Sequence, residues 1–76
     1  MTYDYTKLEG RIIEKFGTRD SFAKALNLTP KSLSEKLNNK TIWKQPQISK
    51  ARELLDISEE DTYLYFFKYK VQELEQ

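Results

Sequence analysis

The sequence predicts an all-α fold, a compact bundle of about five short helices that contains a helix-turn-helix. Apolar residues recur at four-residue steps, and helix start and stop signals divide the chain at short intervals. A chain of 76 residues has the length of one domain, which we assign to residues 1–76. It contains no cysteine and no histidine, which excludes disulfides, a zinc finger and a thiol nucleophile.

The first helix is predicted over residues 6–16, because an apolar stripe begins at Leu8 and repeats every four residues. Thr6 and Glu9 have the spacing of a capping box. Gly17 stands where a helix C-cap favours a left-handed residue. These signals together predict both ends of the helix.

Two further helices are predicted over residues 19–26 and 30–37. Thr18 is a suitable N-cap for the first of them. The second begins with a threonine N-cap followed by Pro30 at the first helical position, a strong start signal. Between them lies a three-residue turn, in which Asn27 tolerates the left-handed conformation. Residues 19–37 therefore form the predicted helix-turn-helix.

The fourth helix is predicted from about Pro46 to Leu55, and the fifth over residues 59–66. Ser58 has cap spacing to Asp61, and acidic residues suit a helix N-terminus. Residues 67–76 form an aromatic and then charged tail. Its pattern fits either an extension of the fifth helix or a short strand.

The helix-turn-helix leaves one polar face free for recognition. A tight crossing of its two helices needs a small residue, which Ala23 supplies. The predicted packing residues are Phe22, Leu26, Leu28 and Leu33. The second helix keeps a polar outer face of Lys31, Ser32, Glu35 and Lys36. A face of this kind fits the major groove, which is about 12 Å wide.

This stretch resembles the helix-turn-helix of the lambdoid Cro and CI repressor superfamily, a lambda-repressor-like DNA-binding domain. The whole chain is similar to short phage and prophage Cro-like proteins. The resemblance lies in residues 4–8, 16–18, 22–26, 32–34, 36–40 and 65–67. It implies a five-helix bundle that represses phage promoters as a dimer on palindromic operators. Two positions depart from the pattern. Asn27 replaces the usual turn glycine, and Lys36 occupies a usually apolar position, so Leu37 is expected to take the core role.

Carried onto this sequence, the resemblance implies a role for each polar residue of the unit. The candidate base-reading residues are Pro30, Lys31, Ser32, Glu35 and Lys36. The candidate phosphate-binding residues are Thr18, Arg19, Ser21, Asn38, Lys40, Thr41 and Lys44. Arg and Lys pair with guanine edges, Glu accepts from cytosine N4, and helix N-termini favour anions. Two alternatives stay open: Thr18 only caps its helix, and Glu35 only pairs with Lys31.

The aromatic residues after the helix-turn-helix exceed what so small a core requires. Trp43 fits a core position, a dimer contact or a DNA-backbone contact, and core or dimer is favoured. Aromatic residues are enriched at protein interfaces. The candidate dimer or partner contacts are Trp43, Tyr65, Phe67 and Tyr69, with full internal packing as the alternative.

Charge is distributed unevenly along the chain, although the net charge is only +1. Residues 18–50 carry seven basic and two acidic side chains, and residues 51–76 carry three basic and seven acidic ones. A polyanion is attracted to the basic segment of residues 18–50 and repelled by the acidic segment of residues 51–76. Ordinary surface charge is the alternative explanation of these counts. The expected partners are double-stranded operator DNA and a second copy of this chain, with which it forms a homodimer at least when bound to DNA.

No cofactor, metal, small-molecule ligand or membrane contact is expected. The segment before the first helix is short and polar, which does not fit a signal peptide. No apolar run approaches the roughly 18 residues of a membrane span, so a cytoplasmic location is expected. An enzyme is not expected, because the chain lacks histidine, cysteine and a glycine-rich phosphate loop. The serious alternative is a protein-interaction module, an antirepressor or transcriptional co-regulator. DNA binding predicts steep salt dependence and sensitivity to Lys31→Ala, whereas protein binding predicts sensitivity in the aromatic, acidic tail.

Overall fold

The computed structural model describes residues 2–71, which form five helical segments. They are α1 (Thr6–Phe16), α2 (Arg19–Ala25), α3 (Pro30–Leu37), α4 (Gln45–Leu55) and a π-helical segment, π1 (Tyr63–Phe67). Within residues 2–71 there is no strand, and extended pairing is limited to one antiparallel bridge between Tyr3 and Tyr69. The predicted all-α fold is confirmed. No helix in that range is long and apolar enough to cross a membrane.

Helix α1 has the predicted bounds but a different N-terminal cap. The expected capping box of Thr6 and Glu9 is wrong, because Thr6 is already the first helical residue. Its backbone N–H donates to Asp4 Oδ1 at 2.9 Å, which satisfies one of the free donors of the first turn. The carboxylate of Glu9 pairs instead with Arg19 at the start of α2. Gly17 ends α1 with φ of 82°, as its position predicted.

Hydroxyl caps fix the starts of α2 and α3. Thr18 Oγ1 accepts from the backbone N–H of Ser21, and Thr29 Oγ1 accepts from that of Ser32, both at 3.1 Å. Helix α2 ends at Ala25, one residue earlier than predicted, so four residues rather than three lead to α3. The turn depends on Asn27, whose φ is 64°. The two caps and the left-handed Asn27 thus set the start of each helix and the turn between them.

Helix α4 begins one residue before the predicted start, and side chains form hydrogen bonds at both of its ends. The backbone N–H of Lys44 donates to the side-chain oxygen of Gln47 at 2.9 Å. At the other end Arg11 donates to the main-chain oxygens of Leu55 and Asp56, at 2.8 and 3.0 Å. The α1 arginine thus binds the free carbonyls at the end of α4 and joins the two helices.

The predicted fifth helix over residues 59–66 is wrong in its bounds. Residues 59–61 form a turn, in which the backbone N–H of Asp61 donates to Ser58 Oγ at 3.2 Å. The following π1 segment packs against α1 and buries Tyr65 and Phe66. Within the predicted tail, Phe67 is the last residue of π1, and residues 68–71 are non-helical and include the bridge residue Tyr69. Residues 72–76 of that tail lie outside the described residues.

The core lies where α1, α2, α3, α4 and π1 meet. Its fully buried large side chains are Leu8, Ile12, Phe22, Leu33, Leu55 and Phe66. Ala23 has no exposed surface, as expected of a small residue at the contact between α2 and α3. Trp43 closes the core beside π1, with its ring centroid 5.2 Å from that of Phe66 in an edge-to-face arrangement. The helix-turn-helix is therefore anchored on its inner side and open on the other.

Candidate nucleic-acid interface

The N-terminal half of α3 forms the outer face of the helix-turn-helix. Pro30 and Lys31 are exposed, while Ser32 and Glu35 are half-buried. On the opposite side Leu33 is completely buried and locks α3 to the core. Four of the five predicted base-reading residues thus lie at or near the surface of one helix, where a duplex can reach them.

Lys36 is the exception, and its expected place on the outer face is wrong. The side chain is only 5% exposed, and its Nζ donates to the main-chain oxygen of Ile42 at 3.0 Å. Burial, and then the nearby charge of Lys44, hold the pKa of Lys36 below its ordinary value, against the opposing effect of Glu35. Lys36 lies three residues after Leu33, at the position where the resembled superfamily has an apolar side chain. Both Lys36 and Leu37 are buried, so Lys36 leaves the candidate base-reading set.

The first group of predicted phosphate-binding residues surrounds the start of α2. Thr18 and Ser21 are exposed, and their hydroxyls lie 3.0 Å apart. Thr18 also caps α2, as its alternative role predicted. The guanidinium of Arg19 is held by Glu9, so part of its charge is already compensated. A phosphate at this position would therefore meet two hydroxyls and a paired arginine.

The second group follows α3 in the loop of residues 38–44. Asn38, Lys40, Thr41 and Lys44 are all exposed. The backbone N–H groups of Lys40 and Thr41 donate to the main-chain oxygen of Glu35, at 2.8 and 3.4 Å. Lys36 Nζ holds the same loop at Ile42. These bonds fix the loop beside the end of α3.

The predicted partner-contact residues divide into buried and exposed ones. Trp43 and Tyr65 are each only 8% exposed, so as surface contacts they are wrong. Trp43 is a core residue, and the Tyr65 ring is covered by Lys7, whose Nζ lies 5.2 Å from the ring centroid. Phe67 and Tyr69 are 41% and 47% exposed and remain available for contact.

Asn39 holds a position that the sequence did not reveal. Its side-chain Oδ1 accepts from the backbone N–H of Tyr3 at 2.8 Å, and its Nδ2 donates to the Tyr3 main-chain oxygen at 3.0 Å. Its φ of 63° ends α3 in the left-handed region. The two consecutive asparagines after α3 predict a turn, but no local signal indicates a partner 36 residues away.

The exposed charges on the helix-turn-helix side are mixed rather than uniformly basic. On α3 the cation of Lys31 is offset by Glu35, four residues later. Exposed lysines follow in the loop and on the neighbouring helices, at Lys24, Lys40, Lys44 and Lys50. Residues 2–71 contain no group of three or more acidic side chains arranged to hold a metal ion. The face therefore offers polar groups and charges of both signs to a partner.

The fold and the exposed face of α3 define a small helix-turn-helix protein. Residues 1–69 match the model of a family described as a protein of unknown function (DUF739), and the chain belongs to that family. Its fold is similar to the solution structure of the modulator of repression (MOR) of the temperate bacteriophage TP901-1 from Lactococcus lactis. The two share 44% sequence identity with a TM-score of 0.78, over 95% of this chain and 97% of the other. No curated protein matches the chain.

Proposed function

We propose that this chain is a phage regulatory protein that binds operator DNA in the Cro-like manner and acts as a transcriptional repressor. The main support is the exposed N-terminal half of α3, whose inner side is locked into the core. Lys31 is the exposed cation of that half, and Ser32 and Glu35 adjoin it. The similarity to a phage modulator of repression supports a role in the same kind of regulation.

In this proposal the base contacts come from α3 and the phosphate contacts from its two flanks. Lys31 donates to a guanine edge, Ser32 contacts a base or a phosphate, and Glu35 accepts from a cytosine amino group. Thr18 and Ser21 before α2, with Lys40 and Lys44 after α3, fix the register on the backbone. Lys36 takes no direct part but holds the loop that carries Lys40 and Lys44.

The test is a fluorescence-anisotropy titration of labelled duplexes with the whole chain, at two salt concentrations. The duplexes are the promoter region flanking its own gene and a scrambled control. We expect salt-sensitive binding that prefers the promoter, and Lys31→Ala to weaken it by about 1–3 kcal/mol. The matched control is Lys15→Ala, which removes an exposed lysine that pairs with Asp56. Equal weak binding to both duplexes, or equal effects of the two substitutions, would contradict operator recognition.

A second candidate is a co-regulator that binds a repressor protein instead of DNA. Two observations favour it: Lys36 is withdrawn from the α3 face, and the similar phage protein is described as a modulator of repression. Its test adds the chain to a phage repressor already bound to labelled operator. Release of the repressor, with no binding of the chain itself to that duplex, would replace the first candidate by the second.

A further inference from the structure

A groove of about 300 Å³ lies between the first residues, the loop after α3 and π1. Aromatic rings of Tyr3, Trp43 and Phe67 line it together with the aliphatic side chains of Ile42 and Ile48. None of the described residues that line it is charged. The groove is large enough to admit several water molecules or one bulky side chain against a largely apolar wall. We call it the loop groove.

Two apolar side chains at this groove are left in solvent. Ile42 is 78% exposed and Phe67 41% exposed. A single exposed isoleucine is ordinary, but apolar side chains beside an aromatic hollow form a contiguous patch. Covering such a patch is favourable by about 25 cal/mol for each Å² removed from water.

The loop that carries Ile42 is fixed before any partner arrives. Lys36 Nζ donates to the Ile42 main-chain oxygen, and the backbone N–H of Lys40 donates to the main-chain oxygen of Glu35. On the other wall, Asn39 holds the Tyr3 backbone by two hydrogen bonds. A surface that is already ordered loses less conformational entropy when it binds.

Lysines flank the groove residues of the loop in the sequence, since Lys40 precedes Thr41 and Lys44 follows Trp43. Lys36, Lys40 and Lys44 stand against the single carboxylate of Glu35. Lys40 and Lys44 are exposed, and neither forms an ion pair with any residue of 2–71. Charges at the rim of an apolar contact select the partner by its sign.

We propose that the loop groove is a docking site for a segment of a partner protein that carries a bulky apolar side chain between carboxylates. The apolar side chain displaces water from the groove and covers Ile42 and Phe67. The carboxylates lie against Lys40 and Lys44. This proposal goes beyond DNA binding and does not depend on it. Because both proposals use Lys40 and Lys44, the peptide and the DNA backbone would exclude each other at these two lysines.

The experiment uses the whole chain and short peptides of defined charge. The probe peptide is Glu-Glu-Leu-Glu-Glu with blocked ends, together with its Phe-centred analogue. One control set has lysines in place of the glutamates, and another has serine at the centre. Binding is followed by amide chemical shifts and by the emission of Trp43, the only tryptophan, which lines the groove.

We expect the acidic, apolar-centred peptides to shift the amides of residues 39–43 and 66–67. The lysine-flanked and serine-centred peptides should bind at least about tenfold more weakly. Ile42→Ser should weaken peptide binding by about tenfold. Ile13→Ser is the matched control, because Ile13 is 50% exposed on α1 and is not among the residues that line the groove.

Several outcomes would overturn the proposal. They are no shift at millimolar peptide, shifts elsewhere on the chain, equal binding of lysine-flanked peptides, or equal effects of the two serine substitutions. Operator anisotropy is measured on Ile42→Ser in parallel, with unchanged DNA binding expected. If operator DNA shifts the same amides and Ile42→Ser removes DNA binding, the groove belongs to the DNA interface and the docking proposal fails.

Discussion

Lys36 shows how one side chain can serve the core and a loop at the same time. Its aliphatic stem is buried with Leu33 and Leu37, as an apolar residue would be. Its ammonium group reaches the Ile42 carbonyl, so one hydrogen bond partly offsets the cost of burying the charge. The lowered pKa records the remaining cost, since burial disfavours the charged form.

Removing this charge without removing the stem should be nearly neutral for stability. We expect Lys36→Met to change the free energy of unfolding by less than about 1 kcal/mol, because a flexible apolar side chain keeps the packing. Lys36→Ala should cost about 2–3 kcal/mol through lost burial and the cavity it leaves. Urea unfolding curves measure both. A methionine variant as unstable as the alanine variant would mean that the ammonium–carbonyl bond, not the stem, stabilises this site.

Residue-level signals predict the caps at Thr18, Thr29 and Gly17 correctly, but not the cap of α1 or the burial of Lys36. Thr18, Thr29 and Gly17 act through bonds or dihedral angles within a few residues, so the local sequence contains what determines them. The fate of Lys36 depends on a carbonyl six residues away and on the space left by the core. A lysine in a sequence is usually exposed, and no local pattern marks the exception.

At the scale of elements, α3 is joined to the extended segments near both ends of the described chain. Tyr3 and Tyr69 form a bridge, flanked by Asp4 N–H to Lys68 O at 2.6 Å and Lys70 N–H to Thr2 O at 2.9 Å. The two tyrosine rings stack, with centroids 5.0 Å apart. We call this pairing the terminal ribbon. The carboxamide of Asn39 occupies the Tyr3 N–H and C=O groups, so it attaches the ribbon to the end of α3.

The contribution of the Asn39 carboxamide can be separated from that of its backbone. Asn39→Gly keeps the left-handed conformation easy and removes both bonds to Tyr3, so we expect a loss of about 1–3 kcal/mol in urea unfolding. Asn27→Gly is the matched control, since Asn27 has φ of 64° and an exposed side chain. It should be within about 0.5 kcal/mol of the original protein. Equal losses in the two variants would show that the ribbon contact adds nothing.

Element bounds were predictable where periodicity and caps agreed. The bounds of α1 and α3 are as predicted. The apolar stripe and Gly17 define α1, whereas the Thr29 cap and Pro30 define the start of α3. The fifth segment differs because the aromatic run from Tyr63 has no helical period, and its position depends on packing against α1. The tail pattern fits both a helix extension and a short strand, because a single bridge such as Tyr3–Tyr69 depends on two segments distant in the sequence.

At the scale of the whole molecule, the proposed DNA-binding mode rests on one short helix, α3. Such a helix reads only about four or five base pairs, too few for a unique genomic site. A second copy on a palindromic operator doubles the site. Of the predicted contact residues, Phe67 and Tyr69 are the exposed ones and remain available for such a contact.

We therefore expect two chains on each operator duplex. Sedimentation of the chain with the promoter duplex that binds best should give a complex of two chains to one duplex. The same measurement on a half-site duplex should give one chain and a large loss of affinity. A one-to-one complex on the full operator, with half-site affinity equal to full-site affinity, would contradict a dimeric mode.

The terminal ribbon also has a consequence for the order in which the fold assembles. It joins segments near opposite ends of the described chain, so its closure entropy is among the largest in the molecule. One bridge with two flanking hydrogen bonds stabilises the ribbon only enough to offset a small part of that entropy cost. The ribbon should thus form after the helices have packed, and in the native protein it should open before they separate. Because Tyr3 is both a ribbon residue and a wall of the loop groove, we expect the groove to be completed late in folding and to be lost early in unfolding.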